Sequence, residues 1–218
     1  MAVAIVTGGS RGLGLELTRA LSERGWRVVV DARDPGDVGG LDGVTAVAGD
    51  VSDEAHRREL VAAAGASIDL LVNNASALGV SPLPPLSDYP LDELERVFAV
   101  NVIAPLALVQ LALPLLAPEA SIVNISSDAA VEPYEGWGGY GASKAALDQL
   151  TRVLAAERPE LHVYALDPGD MRTRMHQDAF PGEDISDRPL PAERVPALLR
   201  LIDERPPNGR YTAEELLA

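Results

Sequence analysis

Ala2-Val-Ala-Ile-Val-Thr-Gly-Gly-Ser-Arg-Gly-Leu-Gly14 is the stretch whose reading decides the fold. The run Ala2–Val6 is apolar and partly β-branched, and it ends in a glycine-rich turn. From Gly12 to Arg24 the apolar residues Leu13, Leu17, Ala20 and Leu21 then recur at helical spacing. The same alternation continues to the end of the chain. Strands are expected at Arg27–Val30, Val44–Ala48, Asp69–Val72, Ser121–Ile125 and Leu161–Leu166, with a short last one at Asn208–Tyr211. Helices are expected at Ser52–Ala64 (capped by Ser52 or Asp53), at Ala142–Glu157 and at Ala192–Glu204. A long helical region over Leu91–Leu116 contains two possible breaks, Pro105 and Pro114. Two connections differ from the rest: Asp31–Asp42 is too rich in Gly, Pro and Asp for a good helix, and the polar segment Met171–Pro191 reads as a mobile excursion. Strands that are apolar throughout and alternate with helices imply a doubly wound parallel sheet of about seven strands, covered on both faces. Residues 1–218 are expected to form one domain.

Composition narrows the function. With 47% hydrophobic residues and no cysteine, the chain can bury a core without disulfides, and thiolate metal sites are excluded. His56, His162 and His176 show no ligand spacing, so no metal is expected. The formal charge of −15 argues against nucleic acid as a partner. No basic segment followed by an apolar one opens the sequence, and no apolar run is expected to approach membrane-spanning length. A cytoplasmic protein is the expectation.

Two further stretches carry chemistry. In Thr7–Gly14 the glycines allow a tight turn and a close approach of backbone to a ligand, and the first amides of the following helix suit a pyrophosphate. In Tyr140-Gly-Ala-Ser-Lys144 the phenol and the ammonium lie four residues apart on one helix face, and Ser127 falls thirteen residues upstream, just past a buried strand. A phenol, an ammonium and a hydroxyl together are parts for proton transfer.

In order along the chain, these motifs resemble those of the short-chain dehydrogenase/reductase family, in its single-domain branch. Thr-Gly-x-x-x-Gly-x-Gly at Thr7–Gly14 is similar to the family's cofactor motif. Its spacing differs from that of the longer sugar-nucleotide epimerases and dehydratases. Asp50-Val51 resembles the adenine-contacting pair, and Asn73-Asn74-Ala75-Ser76 the Asn-Asn-Ala-Gly motif, with Ser76 in place of glycine. Asn101, Ser127, Tyr140 and Lys144 match the catalytic tetrad, and Pro168-Gly169 with Thr173 the nicotinamide-side turn, where Met171 also falls.

The resemblance implies a three-layer Rossmann fold and hydride transfer between a nicotinamide cofactor and a carbonyl or alcohol. Tyr140 would be the general acid/base, with its pKa lowered by Lys144 and by the cationic nicotinamide ring. Lys144 would also hold the nicotinamide ribose, Ser127 would orient the substrate oxygen, and Asn101 would support a water linking Lys144 to solvent. Gly8, Ser10, Arg11, Gly12, Leu13, Gly14, Asp50, Val51, Asn74 and Ala75 would line the cofactor. In Val30-Asp31-Ala32-Arg33-Asp34, Arg33 stands where NADP-preferring members carry arginine, and Arg11 matches their second basic position, so NADP is expected over NAD. A one-residue shift would instead bring Asp31 to the ribose. Leu78, Tyr134, Trp137, Met175 and Phe180 are candidates for an apolar substrate pocket. The family also implies a homodimer formed by the Asn101 and Tyr140 helices, with a tetramer as the larger option. A nucleotide-binding sensor without turnover would use the same fold, but would have no need of Tyr140 beside Lys144.

Overall fold

The computed structural model describes residues 1–34 and 36–218. Seven parallel strands, β1 (Val3–Val6), β2 (Arg27–Ala32), β3 (Val44–Ala48), β4 (Ile68–Asn73), β5 (Leu116–Ile125), β6 (His162–Asp167) and β7 (Gly209–Thr212), form one sheet in the order β3-β2-β1-β4-β5-β6-β7. The order reverses direction between β1 and β4. In such a sheet this switch point opens a crevice at the carboxyl ends of the strands.

Alternate side chains of each strand face opposite layers. Ala4, Val6, Val28, Val30, Leu70 and Val72 meet α1 (Gly12–Glu23) and, farther along, α7 (Val195–Glu204) and α8 (Ala213–Leu217). Ile5, Val29, Leu71, Ile122 and Val163 meet α2 (Glu54–Ala64), α4 (Ala104–Ala112) and α5 (Gly138–Glu157). These are the three layers anticipated from the sequence. Full burial of each Leu, Ile or Val contributes about 1.5–3 kcal/mol, so the two apolar cores carry most of the stability.

Several local expectations change. Asp53, not Ser52, caps α2, accepting from the Ala55 amide at 2.8 Å. The connection after β2 forms a single 3-10 turn, Gly36–Gly40, with Val38 buried; Pro35, inside that expected loop, lies outside the described residues. The long helical region divides into α3 (Leu91–Phe98), a π turn (Ala99–Ile103) and α4, followed by a 3-10 turn at Leu113–Leu115. Within Leu91–Leu115 an 18-residue window reaches a mean hydropathy of 2.0, so by length and composition alone this region could span a membrane, contrary to the sequence reading. Here Ala104, Leu108, Val109 and Ala112 bury against the sheet. The expected excursion contains a helix, α6 (Arg174–Ala179), capped by Thr173, whose hydroxyl accepts from the His176 amide. Helix α8 was not anticipated; Thr212 and Glu215 form its capping box.

Helix α5 begins four residues earlier than its apolar pattern suggests. Gly141 makes this possible, since a Cβ there would lie 2.6 Å from the Ala129 carbonyl oxygen. Tyr140 therefore sits within the helix, held close to the end of β5. A buried polar chain fixes the helix against the sheet: Asn73 donates to Asn124 at 2.7 Å, and Asn124 donates to Thr151 at 2.8 Å.

Candidate active site

A cleft of about 1100 Å³ opens over the carboxyl ends of β1, β2, β4, β5 and β6. At one end lies the glycine turn. The Thr7 hydroxyl accepts from the amides of Asn74 and Ala75, both at 2.9 Å, and the Asn74 side chain donates to the carbonyls of Thr7 and Gly8. These bonds tie the turn after β1 to the turn after β4. Gly8 adopts φ +64°, and a Cβ on Gly14 would stand 2.4 Å from the Gly8 carbonyl oxygen. Gly14 is thus a packing glycine behind the wall, and it does not line the cleft as anticipated. Arg11, the residue before α1, makes no side-chain cap, so the first-turn amides of α1 are left for a group in the cleft. That arrangement fits a pyrophosphate.

Asp31, at the end of β2, belongs to the cleft wall and is buried. Its Oδ1 accepts the Gly8 amide and its Oδ2 lies 3.4 Å from His56 Nε2. Burial raises the Asp31 carboxyl pKa, opposed chiefly by the Gly8 amide. Arg11 and Arg33 are exposed at this end, beside Asp34 and Asp50. Asp50 accepts from the hydroxyl and amide of Ser52, which lower its pKa. Ser10, Gly12, Leu13, Val51, Asn74 and Ala75 complete this half.

At the other end Ser127, Tyr140 and Lys144 converge with Pro168, Gly169, Met171 and Thr173. Lys144 is 1% exposed, its Nζ 5.5 Å from the Tyr140 ring centroid and donating to the Ile125 carbonyl at 2.7 Å. Burial pushes the Tyr140 phenol up to about 12, with the Ser76 and Ser127 hydroxyls opposing. Burial also pulls the Lys144 ammonium down to about 8, against the pull of Asp148 and Asp167. The expected lowering of the phenol pKa by Lys144 is not realised in the protein alone, because desolvation outweighs it. The Ser127 hydroxyl donates to Asp128 at 2.9 Å and accepts from the Ala129 amide at 3.2 Å. The neighbouring Ser126 hydroxyl is buried without a partner among the described residues.

Asn101 does not face the cleft. It sits in the π turn, where its amide donates to the Ala77 carbonyl and the Ser143 hydroxyl, both at 2.9 Å. Its oxygen accepts from the Ala77 amide and the Ser76 hydroxyl. The side chain is thereby committed to fixing the turn after β4. Leu78, Trp137 and Met175 line the cleft as anticipated. Phe180 instead packs on Trp137, and Tyr134 donates to Asp128 at 3.0 Å. Ser76, Asp128 and Asp167 are cleft residues that pattern reading missed. Ser76 and Asp128 each adjoin a recognised motif residue, and Asp167 immediately precedes Pro168-Gly169.

The family model described as short chain dehydrogenase matches residues 2–184. A Pseudomonas aeruginosa protein named for rhamnolipid biosynthesis, a 3-oxoacyl-[acyl-carrier-protein] reductase, is 38% identical over 192 residues, covering 79% of this chain and 74% of its own. A short chain dehydrogenase of Salmonella enterica serovar Typhi superposes with a TM-score of 0.87 at 28% identity, over 98% of this chain and 96% of its own. An Escherichia coli CFT073 protein solved with NADPH does so with a TM-score of 0.87 at 28% identity, over 98% and 96%. Seven parallel strands in this order, with the glycine turn at the switch point, define a nucleotide-binding α/β protein. The chain belongs to the short chain dehydrogenase family, and so to the oxidoreductases with an NAD(P)-binding Rossmann fold.

Proposed function

We propose that this protein is an NADP(H)-dependent carbonyl reductase or alcohol dehydrogenase acting on small molecules, with Tyr140 as its general acid/base. The observation that carries this reading is the buried Tyr140 beside a buried Lys144 at the cleft end opposite the glycine turn. When bound, NADPH supplies the hydride to the carbonyl carbon. As the C=O π pair moves to oxygen, the Tyr140 hydroxyl gives that oxygen its proton. Ser127 turns its own proton from Asp128 to the same oxygen and shares the developing charge. Lys144, with a pKa of about 8, stays an ammonium at neutral pH and stabilises the phenolate that remains.

Gly8, Ser10, Gly12, Leu13, Asp50, Val51, Asn74 and Ala75 would hold the adenosine and pyrophosphate. Tyr140, Lys144, Pro168, Gly169, Met171 and Thr173 would hold the nicotinamide side. Arg33 and Arg11 would take the 2′-phosphate, a reading supported by the burial of Asp31 and by the NADPH complex of the Escherichia coli neighbour. Leu78, Trp137 and Met175 favour an apolar carbonyl compound. The protein would work in the cytoplasm as a homodimer pairing the α4 and α5 faces, and light scattering showing a monomer would reject that assembly. The catalytic reading is tested by following NADPH and NADH oxidation with acetophenone, benzaldehyde, benzil and menadione. Turnover with NADPH well above NADH supports it, and turnover confined to NADH rejects the NADP assignment.

A further inference from the structure

We propose that Arg210, on the last strand, is a positioning residue that locks together the three walls carrying Ser127, Lys144 and the Pro168-Gly169 turn. Its Nη2 donates to the Ser127 carbonyl and to Asp167 Oδ2, both at 3.0 Å, and its Nε donates to Asp148 Oδ2 at 3.1 Å. These partners lie 83, 43 and 62 residues away in sequence, at the end of β5, at the end of β6 and on α5. Asp167 passes the constraint on, because its Oδ1 accepts the Gly169 amide at 2.9 Å. Asp148 stands one helical turn beyond Lys144 and favours its charged form. One planar group thus fixes the main chain of the serine, the turn on the nicotinamide side and the helix of the lysine.

The charge arrangement makes the role specific to arginine. Asp148 and Asp167 are 5% and 6% exposed, and both ion pairs in which they take part are made with Arg210. The second oxygen of Asp148 is buried and has no hydrogen-bond partner among the described residues. Buried carboxylates are costly unless paired, and a guanidinium presents several donors in a fixed plane where an ammonium presents a point. The charges bearing on Tyr140 are Asp128 after β5, Asp167 on β6 and Lys144 on its own helix; Asp148 on α5 acts on Lys144, and Arg210 on β7 pairs with both Asp148 and Asp167. On the α6 side, His176 Nδ1 lies 3.6 Å from Asp170 Oδ1. Removing the guanidinium leaves Asp167 uncompensated near the phenol and Asp148 uncompensated beside Lys144, and makes the phenolate harder to form.

This inference rests on the assignment of Tyr140 as acid/base, so the test includes Tyr140→Phe beside Arg210→Met and Arg210→Lys. The measurements are kcat/KM for NADP-dependent oxidation of the alcohols of acetophenone, benzaldehyde and benzil across pH, NADPH affinity, and Tm. Arg210→Met is expected to lose roughly tenfold to a hundredfold in kcat/KM through misplacement of Ser127 and the nicotinamide turn. The rising limb of its pH profile should move about one pH unit to the alkaline side. Arg210→Lys keeps the charge, so its limb stays in place while kcat/KM still falls by roughly threefold to tenfold. Variants with wild-type kcat/KM and limb would overturn the inference, as would a fall in Tm with an unchanged profile. If Arg210→Met does not fold, Arg210→Lys decides alone, and wild-type kinetics there reject the clamp. If the wild type shows no turnover that Tyr140→Phe abolishes, the proposed function fails first and this inference falls with it.

Discussion

At the glycine-turn end of the cleft, the contacts that shape the wall are made by main chain and by residues near their motif. Thr7 and Asn74 stitch two turns together, and Gly8, Gly12 and the first amides of α1 present backbone. At the other end, Ser127, Tyr140, Lys144, Asp148, Asp167 and Arg210 are side chains drawn from four elements, and most are buried. Backbone donors need no tuning: their charge is fixed and only their direction matters. Buried side chains take their protonation from their surroundings, and here desolvation moves the phenol and the ammonium in opposite directions. One end therefore binds by shape, and the other works by environment.

The largest effects should appear at the proton-transfer end. Lys144→Met is expected to lower kcat/KM by roughly a hundredfold to ten-thousandfold, read from steady-state NADPH oxidation. The same variant exposes a linkage. Lys144 has a folded pKa of about 8 against 10.5 for an ordinary lysine, so above pH 8 the unfolded chain binds more protons than the folded one. Stability from this group therefore rises between about pH 8 and pH 10, by at most about 3 kcal/mol. Tyr140, with its folded pKa raised to about 12, acts in reverse, and its contribution is lost above pH 10. Denaturant midpoints from pH 7 to pH 10 should rise in the wild type and be flatter in Lys144→Met. An equal rise in both would contradict the burial argument.

At the binding end the effects should be smaller and confined to the cofactor. Arg33→Ala removes charge-assisted bonds of roughly 1.5–3 kcal/mol, so KM for NADPH should rise about tenfold to a hundredfold with that for NADH nearly unchanged. Parallel losses for both cofactors would sever the link between Arg33 and the 2′-phosphate. Smallest of all, Asp53→Ala should lower stability by about 1 kcal/mol through the lost α2 cap, seen in thermal melts, with kinetic constants unaltered. A kinetic effect there would blur the separation between frame and site.

The same contrast explains what the sequence could reveal. Strands such as Val3–Val6 and Val44–Ala48 are legible because local β-branched runs between turn residues leave few alternatives. The glycine turn and Tyr140–Lys144 are legible because their spacing is local. The early start of α5 was hidden by Gly138, Gly139 and Gly141, which read as loop; at Gly141 the structure shows close packing on Ala129 as their use. Arg210 carries no signal in sequence at all, since its meaning lies in partners dozens of residues away. The apolar window within Leu91–Leu115 was overlooked because the charged residues Asp92, Glu93, Glu95 and Arg96 open the region, while Pro105 and Pro114 are absorbed at the first turn of α4 and in a 3-10 turn. In the protein alone burial raises the Tyr140 pKa, an effect hidden from the sequence because charge can be counted along a chain and burial cannot.

The central claim is that Tyr140 transfers the proton while the glycine-turn end binds independently of it. Tyr140→Phe removes one oxygen and leaves the ring against Trp137. Measured in one preparation, NADPH affinity should stay within about twofold of wild type while single-turnover reduction slows by roughly a hundredfold or more. Reduction at the wild-type rate with NADPH bound would contradict the account.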